Sequence, residues 1–219
     1  MDLSSLTLIR IKELLGSTHE PSGELLQGMA LDQRVGVQRL HKRYQRAAQK
    51  KAANVERLLK MKKFEDSLIG AKGQLAAGVD ESGRGPLAGP VVAAAVIFPN
   101  QFEPEKFGLA ELDDSKKITP AKRSVLAVSI KNAALAWGVG LAKVSEIERL
   151  NIHRASLLAM SRAVSKLALW PELLLVDGLF SVPELKIPQR AVTGGDALCP
   201  SIAAASIIAK VTRDRLMNL

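Results

Sequence analysis

The sequence predicts an α/β protein in which helices flank a mixed β-sheet, preceded by a helical N-terminal extension. Hydrophobic residues make up 47% of the 219 residues and aromatic residues only 4%, so the chain has enough apolar surface for a core of aliphatic side chains. Residues 74–219 hold apolar strand-like runs first and helical patterns later, which favours a mixed sheet covered by helices. Residues 1–73 are polar with a helical pattern and are predicted to form a separate region.

The N-terminal region is predicted to contain a short helix and a long one. Apolar residues from Leu6 to Leu15 recur as in an amphipathic helix that ends at Gly16, and residues 21–23 (PSG) are typical of a loop. From about residue 32 to 63, apolar residues recur every three or four positions, which predicts one long helix with a single apolar stripe. The stripe comprises Val37, Leu40, Tyr44, Ala47, Ala48, Val55, Leu58 and Leu59.

This long helix is strongly basic. Between residues 34 and 63 there are eleven Lys and Arg residues and one acidic residue, Glu56, so this segment has a net charge of +10. The whole chain has a net charge of +9, so the residues outside this segment together carry −1. Two interpretations stay open: a solvated helix surface, or an arm that follows a nucleic-acid backbone through phosphate contacts. Tyr44 is the only aromatic residue of the segment, so a base-stacking platform is not expected there.

The C-terminal region is predicted to supply the sheet and the helices that cover it. The predicted strands are residues 75–80, 91–98, 133–142 and 173–177, with the end of another at 191–193. The predicted helices are residues 120–131, 145–150, 152–169 and 201–217.

Composition excludes several other classes of protein. Cys199 is the only cysteine, so neither an intrachain disulfide nor a zinc site built from several cysteines can form, and a reducing compartment is expected. No apolar run is long enough to span a membrane, and charged residues interrupt the N-terminal apolar pattern, so it is not typical of a secretory signal. We therefore expect a cytoplasmic protein.

Two neighbouring carboxylates end the first apolar strand. Asp80 and Glu81 point to opposite faces because strand neighbours alternate, so they cannot both be core residues. Asp80 alone could simply begin a turn. Gly83 and Gly85 allow another chain to approach the backbone closely, and Arg84 between them suits a phosphate or a sugar. The run lacks the Gly-Lys-Ser/Thr ending of a Walker A loop.

Further carboxylates follow at places where they could converge. Asp177 ends another apolar strand, and Asp196 follows two glycines just before a helix, where it could equally be a helix cap. Carboxylates that meet at one sheet edge repel each other unless protons or cations intervene, and Mg²⁺ or Mn²⁺ suits an all-oxygen site. Two such ions about 3.5–4 Å apart would activate water and stabilise the leaving oxygen in phosphodiester hydrolysis.

Two other clusters could contact phosphate or support the site. Ser115 and Lys116 offer a hydroxyl and an ammonium group in a segment that could also be a solvated turn. Lys210, Arg213 and Asp214 lie along one side of the last predicted helix and are reserve candidates. Asp214 could bind metal or orient a basic residue; the alternative is an ion pair with Lys210 or Arg213.

Five ordered motifs resemble those of bacterial type 2 ribonuclease H (ribonuclease HII). They are residues 80–92 (DESGRGPLAGPVV), 114–117 (DSKK), 152–160, 176–178 (VDG), and 195–196 (GD) followed by 202–214. The resemblance covers about residues 75–217. It implies the ribonuclease H fold, a five-stranded mixed sheet with helices on both sides. It also implies cleavage of RNA in RNA–DNA hybrids and of single ribonucleotides in duplex DNA, on the 5′ side of the ribonucleotide, leaving 3′-hydroxyl and 5′-phosphate ends.

The resemblance also implies roles for residues. It makes Asp80, Glu81, Asp177 and Asp196 the catalytic, metal-binding carboxylates for two Mg²⁺ or Mn²⁺ ions. In that pattern Asp80 bridges both ions, Glu81 and Asp196 hold one, and Asp177 holds the other. Gly83, Arg84 and Gly85 resemble the motif whose backbone contacts the 2′-hydroxyl, and Arg84 favours type 2 over type 3. Ser115 and Lys116 are expected to bind the nucleic-acid backbone. The protein is expected to be a monomer without membrane contact.

The sequence departs from the family pattern in three places. Gly194 stands where members usually have Lys, residues 1–73 lie outside the common core, and the sequence ends at Leu219 before a Tyr- and Gly-rich segment that members usually carry. The usual tyrosine that stacks at the ribonucleotide junction has no equivalent, since Tyr44 is the only tyrosine. A truncated nucleic-acid-binding fragment with little or no turnover is therefore the alternative. Another nuclease of the same fold, such as a junction resolvase, is a third hypothesis, against which the Gly-Arg-Gly element argues.

Overall fold

A computed structural model describes residues 3, 5–17, 21–70, 73–85, 88–100 and 102–218 of the chain. The chain divides into two compact units, Met1–Asn54 and Val55–Leu219. The sequence placed a boundary between residues 73 and 74, beyond the long basic helix, whereas the compact units divide inside that helix. Residues 86–87 of the glycine-rich motif and residue 219 lie outside the described residues.

The first unit is built from helices around a small apolar core. It contains α1 (Leu8–Ser17), α2 (Gly23–Leu31) and the beginning of α3 (Val35–Ile69). The sequence did not predict α2, although Ser22 caps it by accepting a hydrogen bond from the Leu25 amide at 3.3 Å. The core of this unit consists of Leu3, Ile11, Leu25, Met29 and Val37.

Helix α3 is one continuous helix, but its apolar stripe is not buried along its length. Every residue from 45 to 53 is exposed, including Ala47 and Ala48, so the middle of the predicted apolar stripe is not covered. Val37 is buried in the first unit, and Leu58 is buried in the second. Alanine methyl groups are small, so leaving two of them in water costs little.

The second unit contains a five-stranded mixed sheet. The strands are β1 (Ala76–Ser82), β2 (Val91–Ile97), β3 (Ala136–Ala142), β4 (Leu173–Asp177) and β5 (Gln189–Val192), in the order β3-β2-β1-β4-β5. β2 is antiparallel to both β1 and β3, while β4 is parallel to both β1 and β5. The predicted fold class, a five-stranded mixed sheet with flanking helices, is confirmed.

Helices cover both faces of the sheet. They are α4 (Pro120–Ala133), α5 (Val144–Leu150), α6 (Ile152–Ser165) and α7 (Pro200–Met217). α7 packs on β1 and β2 with α4 outside it, while α6 packs on β2 and β3 from the opposite face. Every helix within the described ranges is too short or too polar to cross a bilayer.

The topology gathers the ends of β1 and β4 at one edge of the sheet. Because these strands are parallel neighbours, Asp80 and Glu81 near the end of β1 lie beside Asp177 at the end of β4. β5 continues the parallel set, with Val192 opposite Asp177, and leads into the short 3₁₀ helix Gly195–Ala197. Carboxylates that are far apart in sequence therefore meet at this edge.

Gly78 sets how closely α7 approaches this part of the sheet. A Cβ at this position would lie 2.2 Å from the carbonyl carbon of Ser201 and 2.3 Å from the Ile202 nitrogen, so any larger residue would push α7 away. Asp80 is two residues further along β1 and faces the same side. The close packing of α7 on Gly78 therefore fixes which α7 side chains can reach Asp80.

Candidate active site

A cleft of about 510 Å³ opens at the sheet edge where β1 and β4 end. Its walls contain all four carboxylates that the family pattern makes catalytic, together with every residue predicted to bind substrate. Two of the three reserve candidates, Lys210 and Arg213, also line this carboxylate cleft. The full lining is Asp80, Glu81, Ser82, Gly83, Arg84, Gly85, Ser115, Lys116, Asp177, Asp196, Ser206, Lys210 and Arg213.

Asp80 is the buried centre of the carboxylate group. Its side chain faces α7 and the residue is only 5% exposed. Burial raises the pKa of Asp80 well above its ordinary value, and the nearby charges of Glu81 and Asp177 raise it further. The Ser206 hydroxyl and the Glu81 amide, which donates to Oδ1 at 2.7 Å, lower the pKa but do not offset the burial. The ionised form of Asp80 is therefore unfavourable by itself and would be stabilised by a nearby cation.

Glu81 lies beside the arginine of the Gly-Arg-Gly element. Burial raises the pKa of Glu81, and the Asp177 charge adds to this, while the Arg84 guanidinium opposes it. The Arg84 Nη1 atom is 3.6 Å from Glu81 Oε1, so the pair is loose. The arginine thus only partly compensates the charge on this side of the cleft.

Asp177 and Asp196 are joined through the turn that precedes α7. Asp177 Oδ1 accepts a hydrogen bond from the Gly195 amide at 2.7 Å. Burial raises the pKa of both Asp177 and Asp196, and the positive charge of Lys116 lowers the pKa of each. The charges of Asp114 and Asp177 raise the pKa of Asp196 further. Asp196 does not cap α7, because the residue at the N-cap position of that helix is Cys199.

The chemistry of these donors fits hard divalent cations. All four are carboxylates, the charges of Asp80, Glu81 and Asp177 act on one another, and oxygen ligands are the ones that Mg²⁺ and Mn²⁺ prefer. Within the described ranges, no three acidic, histidine or cysteine side chains are arranged closely enough to hold an ion as they stand. Asp80 and Asp177 each accept one hydrogen bond from a backbone amide through Oδ1, which leaves the other carboxylate oxygen able to contact a cation.

The described parts of the glycine-rich loop, residues 83–85 and 88–90, are held against α7 by one arginine. Arg213 is buried and donates Nε to the Pro90 carbonyl at 3.0 Å and Nη2 to the Ala88 carbonyl at 2.7 Å. Gly83 has a φ of +106°, and a Cβ there would lie 2.4 Å from Arg213 Nε. A Cβ on Gly85 would meet nothing within 4 Å, so the backbone at Gly85 is open to the cleft. The arginine therefore positions a loop whose own backbone is accessible.

The other two reserve candidates pair with each other. Lys210 Nζ lies 2.5 Å from Asp214 Oδ1, and Arg123 Nη2 lies 3.4 Å from Asp214 Oδ2. Asp214 is thus in the ion pair that the sequence left open as the alternative to a metal ligand.

Ser115 and Lys116 lie on the short 3₁₀ helix Ser115–Lys117, which Asp114 caps by accepting from the Lys116 amide at 2.9 Å. Ser115 is buried, and its hydroxyl is hydrogen-bonded to the Ser206 hydroxyl at 3.0 Å. Because Ser206 also contacts Asp80, the two serines link this segment to the central carboxylate. Sequence reasoning did not assign a role to Ser206, although a hydroxyl in a buried, alanine-rich helix needs a polar partner.

Comparison with known proteins gives matches to one family along most of the chain. The family model for ribonuclease HII matches residues 77–219, and the model for the ribonuclease HII N-terminal domain matches residues 7–69. Ribonuclease HII of Pelotomaculum thermopropionicum is 51% identical over 216 residues, which is 99% of this chain and 80% of that protein. Ribonuclease HII of Desulfitobacterium hafniense is 46% identical over 217 residues, again 99% of this chain and 80% of that protein.

Solved structures show the same similarity at the level of the fold. The crystal structure of ribonuclease H2 from Pyrococcus horikoshii OT3 superposes with a TM-score of 0.58 at 28% sequence identity. The match covers 66% of this chain and 74% of that one.

Proposed function

The chain belongs to the ribonuclease HII family and is thereby an endoribonuclease, and we propose that it is a metal-dependent enzyme acting on RNA–DNA hybrids and on single ribonucleotides embedded in duplex DNA. Hydrolysis would leave 3′-hydroxyl and 5′-phosphate ends. The observation that carries this proposal is that a single cleft joins four carboxylates to a Gly-Arg-Gly element whose backbone is open at Gly85.

The four carboxylates would hold two divalent cations, Mg²⁺ or Mn²⁺. Asp80 would bind both ions, because it is the buried member and the charges of both Glu81 and Asp177 act on it. Asp196 would complete the set with Glu81, leaving Asp177 to the other ion. When bound, such ions lower the pKa of a water nucleophile and stabilise the charge that develops on the leaving oxygen. The raised carboxyl pKa values support this role, since a bound cation would stabilise carboxylates whose ionised form is disfavoured by burial and, at Asp80, also by the charges of Glu81 and Asp177.

The rest of the cleft would orient the nucleic acid. The backbone at Gly83, Arg84 and Gly85 would contact the 2′-hydroxyl, because Gly85 presents no side chain and has open space above it. Lys116 would bind a backbone phosphate near the carboxylates, with Ser115 fixing that segment through its contact with Ser206. The basic part of α3 would add contacts to phosphates that do not depend on sequence or sugar type.

The test is a cleavage assay on a duplex that carries one ribonucleotide and is labelled at the 5′ end. With Mg²⁺ or Mn²⁺ we expect a single cut on the 5′ side of the ribonucleotide, a product extendable by a DNA polymerase because it ends in a 3′-hydroxyl, and no cut after the metal is removed with EDTA. An all-DNA duplex of the same sequence is the control. Binding without product in either metal would identify a nucleic-acid-binding protein instead, and cleavage of the all-DNA duplex would identify a different nuclease.

A further inference from the structure

We propose that an aromatic wall formed by Phe180, His153 and Arg84 stacks against a nucleobase next to the scissile phosphodiester. This inference rests on the proposed function, because it assigns a base-binding subsite to the same cleft. It concerns residues to which neither the sequence motifs nor the carboxylate chemistry gives that role.

The wall begins three residues after a metal-binding candidate. Asp177 ends β4, and Phe180 lies in the connection from β4 to β5, at the sheet edge where the cleft opens. Neighbouring strands are about 4.8 Å apart, so this connection lies one strand from Asp80 and Glu81 on β1. A nucleotide whose phosphate reached the carboxylates would therefore have its neighbour within reach of Phe180.

Contacts between the three side chains fix the wall. The rings of Phe180 and His153 have centroids 4.5 Å apart and planes at 64°, an edge-to-face pair. Arg84 Nη2 lies 3.4 Å from His153 Nδ1. A guanidinium can only donate, so Nδ1 is the acceptor of this hydrogen bond. His153 thus holds the phenyl ring on one side and the cleft arginine on the other.

Phe180 is not a core residue. It is 51% exposed, and Leu179 before it is 72% exposed, so both leave apolar surface in water beside a charged cleft. An exposed aromatic ring that is held in place by a neighbour, at the mouth of a site, is typical of a binding surface.

A nucleobase fits this surface better than a phosphate or a peptide would. The wall contains a phenyl ring, an imidazole and a guanidinium, which are the planar groups on which unstacked bases stack. A phosphate would find no donor on Phe180, and Glu81 beside Arg84 would repel it. The wall is also continuous with the cleft through Arg84, which lines it, so its occupant is the substrate of that cleft.

The experiment compares Phe180→Ala, Phe180→Leu and Phe180→Trp with the control Phe107→Ala. Phe107 is 40% exposed and packs on Phe102, with ring centroids 5.9 Å apart, outside the cleft. Stacking on one base predicts a KM about 10-fold higher for Phe180→Ala and Phe180→Leu, little change in kcat, and recovery in Phe180→Trp. Phe107→Ala should cleave as the unaltered protein does. Melting temperatures check that each variant is folded.

A scan with abasic sites locates the base. Duplexes with one ribonucleotide carry a single abasic site at successive flanking positions, and cleavage is measured for the unaltered protein and for Phe180→Ala. We expect one position at which the abasic site raises the KM of the unaltered protein but adds nothing to that of the variant. Equal losses at every position, or a Phe180→Ala variant that resembles Phe107→Ala, would overturn the proposed wall. An unaltered protein that cleaves no duplex would instead overturn the proposed function, and duplex affinity measured by fluorescence anisotropy would then test the wall on its own.

Discussion

Replacing Asp80 by asparagine tests whether this carboxylate serves catalysis or the stability of the fold. In the folded protein, burial and the charges of Glu81 and Asp177 raise the pKa of Asp80 above the ordinary value of 3.8. Ionised Asp80 therefore destabilises the fold. Asparagine has nearly the same shape and no charge, and the carboxylates around it and the Ser206 oxygen can accept from its amide. We expect Asp80→Asn to abolish cleavage while leaving the protein folded and at least as stable.

The stability change has a definite sign and pH window. A group whose pKa is raised in the folded state loses stability as the pH rises from its unfolded pKa, here about 3.8, towards the folded one. The advantage of asparagine should therefore be absent below about pH 4 and should grow above it. About 1 kcal/mol of stability moves the Tm of a protein of this size by roughly 2–4 °C, so calorimetry can resolve the difference. At pH 8 we expect Asp80→Asn to have a higher Tm than the unaltered protein without added metal.

The assay pairs calorimetry with single-turnover cleavage of a duplex carrying one ribonucleotide. Loss of even an outer-shell partner typically costs 10- to 100-fold in metal-site activity, so loss of the bridging candidate should cost more than about 100-fold. Glu111→Gln is the matched control, since Glu111 forms an exposed ion pair with Lys122 outside the cleft. Near-normal turnover in Asp80→Asn would refute the catalytic assignment. A Tm several degrees lower would show that Asp80 serves the fold, as a residue that begins a turn would.

Three further variants test other parts of the molecule. Arg213→Lys keeps the charge but loses the planar fork whose Nε and Nη2 bond the Pro90 and Ala88 carbonyls. We therefore expect a several-fold higher KM and a lower Tm. Unchanged values would show that the loop does not depend on Arg213. Burial raises the pKa of Glu65 to about 7, so its ionised form destabilises the fold above that pH. Glu65→Gln should therefore raise the Tm at pH 8 but not at pH 4.5. Equal Tm gains at both pH values would contradict this. Lys50→Glu combined with Lys51→Glu should weaken the binding of RNA–DNA hybrid and of plain DNA equally, and the binding affinity should depend less on salt concentration. A loss confined to ribonucleotide substrates would argue against a nucleic-acid arm.

Most of the sheet could be predicted because its strands are short apolar runs bounded by turn residues. The run that ends at Asp177 matches β4 residue for residue. The third strand was predicted too early, since α4 continues to Ala133 and β3 begins only at Ala136. Helix α2 was missed, although Ser22 before Gly23 and Glu24 was an available capping signal. Its nine residues include two glycines, so its local preference is weak and burial of Leu25 and Met29 decides it.

Asp80, Glu81 and Asp177 could be proposed from sequence because a carboxylate at the end of an apolar strand is unusual, and Asp196 because it follows two glycines just before a helix. Their supporting contacts could not be proposed, since they join segments that are distant along the chain. Arg213 reaches the Pro90 carbonyl across 123 positions, and Ser206 meets Ser115 across 91 positions. No local pattern encodes such pairs; they follow from how α7 lies on the sheet.

Helix α7 makes the geometry of the carboxylates depend on that of the loop. At its first turn, the Ser201 amide and hydroxyl both donate to the Glu65 carboxylate at 2.9 Å, which fixes the helix end away from the cleft. Further along, Ser206 contacts Asp80, and near the C-terminal end Arg213 holds the glycine-rich loop. Because a helix moves as a rigid rod over such a distance, a shift that displaced Ser206 from Asp80 would also displace the loop. Groups proposed to bind metal and groups proposed to contact the ribose are therefore positioned by one element. A substrate that shifts the loop would also shift the surroundings of the central carboxylate.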